Sequence, residues 1–280
     1  MSATVFFAVL AAAAMHAAWN AVIKIRLDRF ASISLMTLGT AVVSLPLAPF
    51  VAFPEAATWG WIALSLALHT GYKFYLTKAY DNGDMAQAYP LARGTAPLLT
   101  TIGAAFLLQE IPSALALAGI GLLSAGTFLM SLRGGSVGTI GHRAAGFALL
   151  TSVFVAGYTL TDGIGARSAE TALSYAVWLF IADGIWSSIF CIMLRGRGVV
   201  RAVLPEWKSG LGAGLLSAVA YAIAMWAMTK APIAAVAALR ETSILFAMLL
   251  SVMMIGETMT RWRIGAALLI VGGVAALRFA

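Results

Sequence analysis

The sequence predicts an all-α polytopic membrane protein in which ten transmembrane helices form two inverted five-helix repeats around a central cavity. Three observations support this fold class. Hydrophobic residues make up 61% of the 280 residues and charged residues only 10%, whereas soluble proteins carry about 25% charged residues. Apolar runs of at least ~18 residues, each long enough to cross a ~30 Å hydrocarbon core, recur along the whole chain. Scarce polar residues of the first half also recur at matching positions in the second half.

The predicted spans are joined by short connections rich in glycine, proline and charge, none of which could hold a soluble domain. The first span contains small residues suited to signal cleavage, but it lacks the basic region that precedes a signal peptide, so we expect a retained helix. The ten predicted spans cover residues 4–23, 31–53, 58–77, 85–107, 113–132, 144–165, 172–194, 210–229, 234–255 and 261–279.

Basic residues are distributed unequally between the two sides of the membrane. Twelve fall in loops on one side and three on the other, a bias that places the first side in the cytoplasm and both termini outside. We therefore expect a protein of the inner (plasma) membrane, with the net charge of +7 explained by topology and no nucleic-acid partner. The twelve are Lys24, Arg26, Arg29, Lys78, Arg133, Arg143, Arg195, Arg197, Arg201, Lys208, Arg261 and Arg263, and the three are Arg167, Lys230 and Arg278.

A repeat relates the two halves of the chain, predicted as residues 1–137 and 138–280 of one integral membrane domain. Because each half has five spans, the second enters the membrane from the opposite side, as in transporters that work by alternating access. Arg93 and Arg240 are then expected at opposite depths, each about two turns from its own membrane face. A shift of 147 positions superposes Arg93 on Arg240, Thr95 on Thr242, Glu110 on Glu257 and Gly126 on Gly273.

The first span of each half contains a looser match. His16, Asn20 and Lys24 are spaced four residues apart and form one stripe on a helix otherwise built mainly of small apolar residues. At a shift of 138 positions, Asn20 lies over Tyr158 and Lys24 over Asp162.

The ten spans in two halves, the Glu that ends the fourth and ninth spans, and the glycine-rich fifth and tenth spans resemble the drug/metabolite transporter superfamily. Within it, EamA-type exporters of amino acids and other small metabolites are most similar. The resemblance implies a secondary transporter with a central substrate site. Small-residue spacing predicts that the fifth and tenth spans pack closely, within one chain or between two, so a monomer and a homodimer both stay open. Glu110 and Glu257 are expected to stabilise the start of the next helix.

Arg93 stands between Pro90 and Pro97, which should free backbone carbonyls toward a cavity. It is predicted either to anchor an anion, to act as a gate partner, or to pair structurally with a neighbouring helix. Arg240 and Glu241 are adjacent, about 100° apart on a helix, so each is expected to find a partner on another helix.

Asp183 lies in the middle of its span, where an isolated carboxylate is costly. It is expected to bind a cationic group or a proton, or to pair with Arg93 or Arg240. His69, Tyr72 and Lys73 share one helix face that could line the cavity, although Lys73 could instead extend toward the membrane surface.

Aromatic side chains complete the candidate site. Each could line an amphipathic cavity, with interfacial or packing roles as the alternative. Tyr221 is also the approximate repeat counterpart of His69. The complete set of candidate substrate-binding residues is His16, Trp19, Asn20, His69, Tyr72, Tyr89, Arg93, Tyr158, Trp178, Asp183, Tyr221, Arg240 and Glu241. Tyr175 belongs to the same aromatic group, whereas Trp59, Trp61, Trp207 and Trp262 are assigned to the membrane interface.

Composition and repeat predict a transporter, and the resemblance alone implies amino-acid export. Arginines would hold the carboxylate of a zwitterion, and Asp183 or Glu241 its amine. Multidrug, nucleoside or other metabolite transport on the same fold is the alternative, and an intramembrane enzyme using Ser124 or a channel belongs to other classes. The expected partners are a small-molecule substrate and lipid. No catalytic residue, metal or cofactor is predicted, because no nucleotide-binding loop is present and Cys191 is the single cysteine.

Overall fold

The fold is all-helical in a computed structural model that describes residues 1–22, 29–133, 140–255 and 258–280, and no strand occurs within these ranges. Two 3₁₀ helices, Leu45–Phe50 and Leu204–Glu206, extend the neighbouring α-helices. The α-helices are α1 (Ala3–Val22), α2 (Arg29–Ser44), α3 (Ala56–Asp81), α4 (Met85–Leu108), α5 (Ala114–Arg133), α6 (His142–Ser168), α7 (Ala172–Arg195), α8 (Gly198–Val203), α9 (Trp207–Met228), α10 (Ile233–Arg240), α11 (Ser243–Ile255) and α12 (Arg261–Phe279).

Nine segments of the described chain are long and apolar enough to cross a membrane. The tenth predicted span is α3, whose 26 residues give a helix of about 39 Å. Lys73 and Lys78 lower its hydropathy, but α3 is packed against α6 and α7 inside the bundle. The structure therefore has the ten-helix arrangement of an inverted-repeat membrane protein.

The two halves interlock through equivalent helix contacts. Helix α3 packs on α6, and its counterpart in the second half, α9, packs on α1. Helix α4 also packs on α6, and its counterpart α11 packs on α1. Thus the first helix of each half is held by the third and fourth spans of the other half, as a two-fold relation between repeats requires.

The fifth and tenth spans pack closely within this one chain, as the small-residue spacing predicts. A Cβ atom at Gly273 would lie 2.7 Å from the carbonyl oxygen of Gly119, and one at Gly126 would lie 2.8 Å from that of Ala266. Only glycine allows the backbones of α5 and α12 to approach this closely.

The ninth span, predicted over 234–255, is present but is divided by a break into α10 and α11. At the break, the amides of Glu241 and Thr242 bond to carbonyls three residues back, Ala238 at 3.0 Å and Leu239 at 3.2 Å. The Thr242 hydroxyl also donates to the Leu239 carbonyl at 2.7 Å, a local bond that competes with the helical pattern. Irregular backbone at this depth is tolerated because protein surrounds it.

Three sequence predictions concern positions outside the described residues. They are the place of Lys24 on the first-span stripe, the role of Glu257 after the ninth span, and the boundary between residues 137 and 138. All three stay predictions.

Candidate functional site

A cavity of about 90 Å³ lies between the two halves of the protein. Helices α1, α2, α3, α6, α7, α9 and α10 contribute side chains to its wall. Eight candidate residues from the sequence come together there: His16, Trp19, His69, Tyr72, Tyr158, Asp183, Tyr221 and Arg240. Lys73, predicted on the same helix face as His69 and Tyr72, also lines the wall. The wall is completed by residues that the sequence did not indicate: Ile33, Met36, Thr37, Thr40, Leu179, Phe180 and Ser217.

The polar stripe of α1 supplies one edge of this cavity. Trp19 donates its indole N–H to Nδ1 of His16 at 3.3 Å, and both side chains line the wall. Asn20 does not line it, because its amide donates to the His16 carbonyl at 2.9 Å and its oxygen accepts from Arg29 at 3.5 Å. Tyr89 also lies outside the wall, with its hydroxyl 3.5 Å from Nε2 of His16. Neither Asn20 nor Tyr89 therefore lines this cavity, and their place among the substrate-binding residues stays a prediction.

Asp183 is paired with Lys73 across α7 and α3. The Lys73 ammonium donates to both carboxylate oxygens at 2.8 Å and to Ser187 Oγ at 2.5 Å. Both side chains are buried at the cavity wall. Lys73 therefore does not extend toward the membrane surface. The sequence analysis offered Arg93 or Arg240 as a partner of Asp183, but in the structure the partner is Lys73.

Arg93 forms a bidentate pair with Glu241. Its Nε donates to Oε2 at 2.9 Å and its Nη2 lies 2.8 Å from Oε1. Each residue is eight positions from the start of its span, about 12 Å in from opposite faces, so the long side chains meet deep in the bundle. Neither residue lines the main cavity, and both line a smaller cavity of about 10 Å³. Of the roles predicted for Arg93, the structural pair or gate agrees with this placement, and an anion anchor in the main cavity does not.

Arg240 has a different environment. Its guanidinium carbon lies 4.7 Å from the centre of the Tyr221 ring, a cation–π contact. It lines both cavities. Among the described residues, no carboxylate oxygen lies within 4.0 Å of its nitrogens. The main cavity thus contains a cation that no carboxylate of the described residues neutralises at short range.

Asp162 lies directly behind the cavity wall, although the sequence analysis did not select it. It is 0% exposed, and accepts a hydrogen bond from the Tyr175 hydroxyl at 3.0 Å and a short one from Tyr221. Its position one turn after Tyr158 on the same helix was a usable signal, because an intramembrane carboxylate is a functional candidate by itself.

Aromatic rings form one wall of the cavity. The His69 imidazole stacks on Tyr158 with ring centres 4.1 Å apart, and Nδ1 of His69 lies 3.1 Å from Ser65 Oγ. Tyr72 meets Tyr158 edge to face at 5.6 Å. These contacts hold flat, amphipathic surfaces in fixed positions.

Trp178 does not belong to this wall, and its placement agrees with the packing role that the sequence analysis kept as the alternative. Its indole N–H donates to the Ala52 carbonyl at 3.0 Å. Its ring packs edge to face against Phe53, with centres 4.9 Å apart. Trp59 packs on the same two rings, so Trp178 belongs to an aromatic cluster at the end of the bundle.

A polar contact closes the end of the bundle where α4 and α6 end and α10 begins; we call it the clasp. Arg167 pairs with Glu110 at 2.5 Å and donates to the carbonyls of Met228 at 2.8 Å and Ala231 at 3.1 Å. Glu110 also accepts from the Ile233 amide at 2.9 Å. Glu110 therefore stabilises the positive start of α10, rather than that of the next helix α5 as predicted.

The enzyme alternative lacks its essential contact in this structure. A catalytic serine needs a base within hydrogen-bond reach, but buried Ser124 Oγ has no hydrogen-bond partner among the described residues. Within the same part of the chain, no three His, Cys, Asp or Glu side chains are grouped to hold a metal ion.

Ten spans in two interlocking halves around a polar cavity define a membrane transporter fold of the inverted-repeat type. A sequence model of the EamA-like transporter family matches residues 3–132 and again residues 142–279. The chain belongs to the EamA-like transporter family and is a multi-pass membrane transporter of the drug/metabolite superfamily. Members of this family are transporters rather than enzymes, and the resemblance inferred from the sequence is confirmed.

Solved structures share this fold. One crystal structure matches with a TM-score of 0.78 at 20% sequence identity, and the match covers 98% of this chain and 94% of that chain. At this identity the likeness concerns the fold alone. No curated protein sequence matches the chain.

Proposed function

We propose that this protein exports small polar or zwitterionic metabolites, foremost amino acids, across the inner membrane by alternating access. The observation that carries the proposal is Arg240, a guanidinium at the main cavity with no carboxylate of the described residues within 4.0 Å. Charges within a membrane are costly and are retained mainly where they have a function. A substrate carboxylate would give Arg240 a charge-assisted hydrogen bond.

Asp183 is the cavity carboxylate available to a substrate amine. It is already held by Lys73 and Ser187, so a bound amine would share its oxygens with them. Glu241, the other predicted amine partner, is less suitable because both of its oxygens contact Arg93. The aromatic wall of His69 and Tyr158 would pack against the apolar part of the substrate.

The positions of the clasp and the cavity support alternating access. The clasp joins the end of α6 to the start of α10, whereas the cavity wall includes His16 and Trp19 from the last turns of α1, toward the opposite end of the bundle. Rocking one half against the other would open the clasp and close the cavity's present side. The family resemblance supports export as the direction of transport. The positive-inside rule supports the assignment of the basic loops to the cytoplasm.

Proteoliposome flux tests the substrate class. The panel contains amino acids, nucleosides, sugars and cationic drugs, each with and without a pH gradient. We expect the flux of amino acids to saturate with concentration. Amino acids with apolar side chains should also compete with one another for transport. Movement of a drug or nucleoside without movement of any amino acid would contradict the proposed substrate. Flux that rises without saturation would indicate a channel.

Nucleoside or multidrug transport is the second candidate, because seven ring-bearing side chains line the cavity: His16, Trp19, His69, Tyr72, Tyr158, Phe180 and Tyr221. Flat aromatic substrates would stack on such a surface. Adding the decarboxylated amine of a transported amino acid to the panel separates the candidates. This amine should be a poor substrate if Arg240 must bind a carboxylate, and an acceptable one if stacking dominates.

Cysteine labelling tests the orientation. In a Cys191→Ser background, Arg201→Cys reports on one end of the bundle and Glu170→Cys on the other, since both native side chains are exposed. We expect an impermeant thiol reagent added to intact cells to label position 170 and to spare position 201. The reverse pattern would contradict the proposed orientation.

A further inference from the structure

Asp162 differs from the other buried carboxylates of the described spans. Asp183 is paired with Lys73 and Glu241 with Arg93. Asp162 is 0% exposed, yet no cationic nitrogen of the described residues lies within 4.0 Å of its oxygens. A buried carboxylate requires a compensating cation, a metal or a proton, and the described residues form no metal-binding group around it.

The groups that surround Asp162 come from several helices. Helix α7 contributes the Tyr175 hydroxyl and α9 the Tyr221 hydroxyl, both as donors, while α3 presents Ser65 and His69. Helices α4 and α10 face α6 further along, where Arg93 is occupied by Glu241 and Arg240 lies on the Tyr221 ring. Phenol and hydroxyl donors stabilise the carboxylate but do not neutralise its charge, and no nitrogen of the His69 imidazole lies within 4.0 Å of its oxygens. A proton on the carboxylate itself is therefore the compensating charge that remains at short range.

Tyr221 links Asp162 to the substrate cavity. Its hydroxyl donates to Asp162, its ring makes the cation–π contact with Arg240, and the side chain itself lines the cavity. When Asp162 takes up a proton, its carboxyl group becomes a donor and the Tyr221 hydroxyl can accept instead. A substrate carboxylate on Arg240 and a proton on Asp162 therefore act on the same tyrosine.

Asp162 also lies between the cavity and the clasp. It precedes Arg167 by five residues on α6, which is about 7.5 Å along the helix axis. Opening of the clasp would therefore expose Asp162 to water at the end of the bundle opposite the present cavity. This location lets a proton and a substrate reach the protein from opposite sides.

We propose that Asp162 is the proton-binding residue that couples metabolite export to the proton gradient, with Tyr221 as the contact between proton and substrate. The inference rests on the proposed function. When the clasp is open, one proton from the outer solution binds the Asp162 carboxylate as the substrate leaves. After the clasp closes, the same proton leaves for the cytoplasmic solution as the next substrate binds Arg240.

The test compares Asp162→Asn with Glu170→Gln, which removes an exposed carboxylate just beyond α6. In proteoliposomes, we measure the ratio of substrate accumulation driven by a pH gradient to downhill flux without one, for each panel compound that the wild-type protein moves. This ratio should fall at least about tenfold in Asp162→Asn, stay unchanged in Glu170→Gln, and be restored in part by Asp162→Glu. An unchanged ratio in Asp162→Asn would overturn the proposal.

Infrared difference spectra recorded between about pH 5 and pH 9 need no substrate. Wild-type protein should show the carbonyl band of a protonated carboxyl group whose intensity changes with pH, and Asp162→Asn protein of the same elution volume should lack it. Absence of the band from the wild-type spectrum would overturn the assignment of the proton to Asp162. If the band is present but no amino acid moves, only the proposed substrate fails.

Discussion

Arg93 and Arg240 occupy equivalent positions in the two halves but have opposite roles in the structure. Arg93 is neutralised by Glu241 through one hydrogen bond and a second ion-pair contact, whereas Arg240 lies on the Tyr221 ring at the cavity. The repeat explains the difference, because the residue equivalent to Glu241 in the first half is Gly94. If the two halves were fully symmetric, a carboxylate at position 94 would pair with Arg240. Because position 94 is a glycine, Arg240 has no such partner and can bind a substrate. A repeat can therefore form its site where the symmetry is broken.

Removing the carboxylate from the Arg93 pair should have the largest effect on stability. Glu241→Gln leaves a buried guanidinium without its counter-charge, so the free energy of unfolding in mixed detergent should fall by about 3–5 kcal/mol. Exchanging the charges with Arg93→Glu and Glu241→Arg should recover part of the loss. A loss below about 1 kcal/mol in Glu241→Gln would show that Arg93 finds another partner, and the contrast with Arg240 would fail.

Overpacking at the α5–α12 contact should have the next largest effect. Gly273→Ala places a Cβ against the Gly119 carbonyl and should lower the free energy of unfolding by about 1–3 kcal/mol. Gly121→Ala is the matched control on α5, since a Cβ there meets nothing within 4 Å. Equal stability of the two variants would contradict the close contact between these helices.

Breaking the clasp should affect stability least. The Glu110 and Arg167 side chains are 21% and 29% exposed, so Glu110→Gln should lower the free energy of unfolding by only about 0–1 kcal/mol. Its effect should instead appear in accessibility. A cysteine at position 231, where the native alanine is buried beside the clasp, should be labelled faster by an impermeant reagent in this variant, and unchanged labelling would show that the clasp does not hold that end closed.

Much of the fold could be predicted from the sequence because bilayer thickness fixes the length of each span. The two halves could also be predicted, because scarce charged residues such as Arg93 and Arg240 recur at matching positions. The partners of those charges could not be predicted, since the pairing of Lys73 with Asp183 depends on how α3 and α7 are rotated and crossed. Because the rotation of each helix could not be predicted, neither could the surroundings of Asn20 and Trp178. Their side chains bond to nearby backbone or neighbouring side chains instead of facing the cavity. The break after Arg240 was missed because α10 and α11 are both apolar enough to form one span.

The most direct test of the account is substrate affinity in Arg240→Gln protein. Equilibrium binding of a transported amino acid should weaken at least about tenfold, whereas binding of its decarboxylated amine should be unaffected. Lys208→Gln, which removes an exposed charge at the start of α9, should bind both ligands as the wild-type protein does. Equal weakening for the amino acid and the amine, or none for either, would contradict the claim that Arg240 binds the substrate carboxylate.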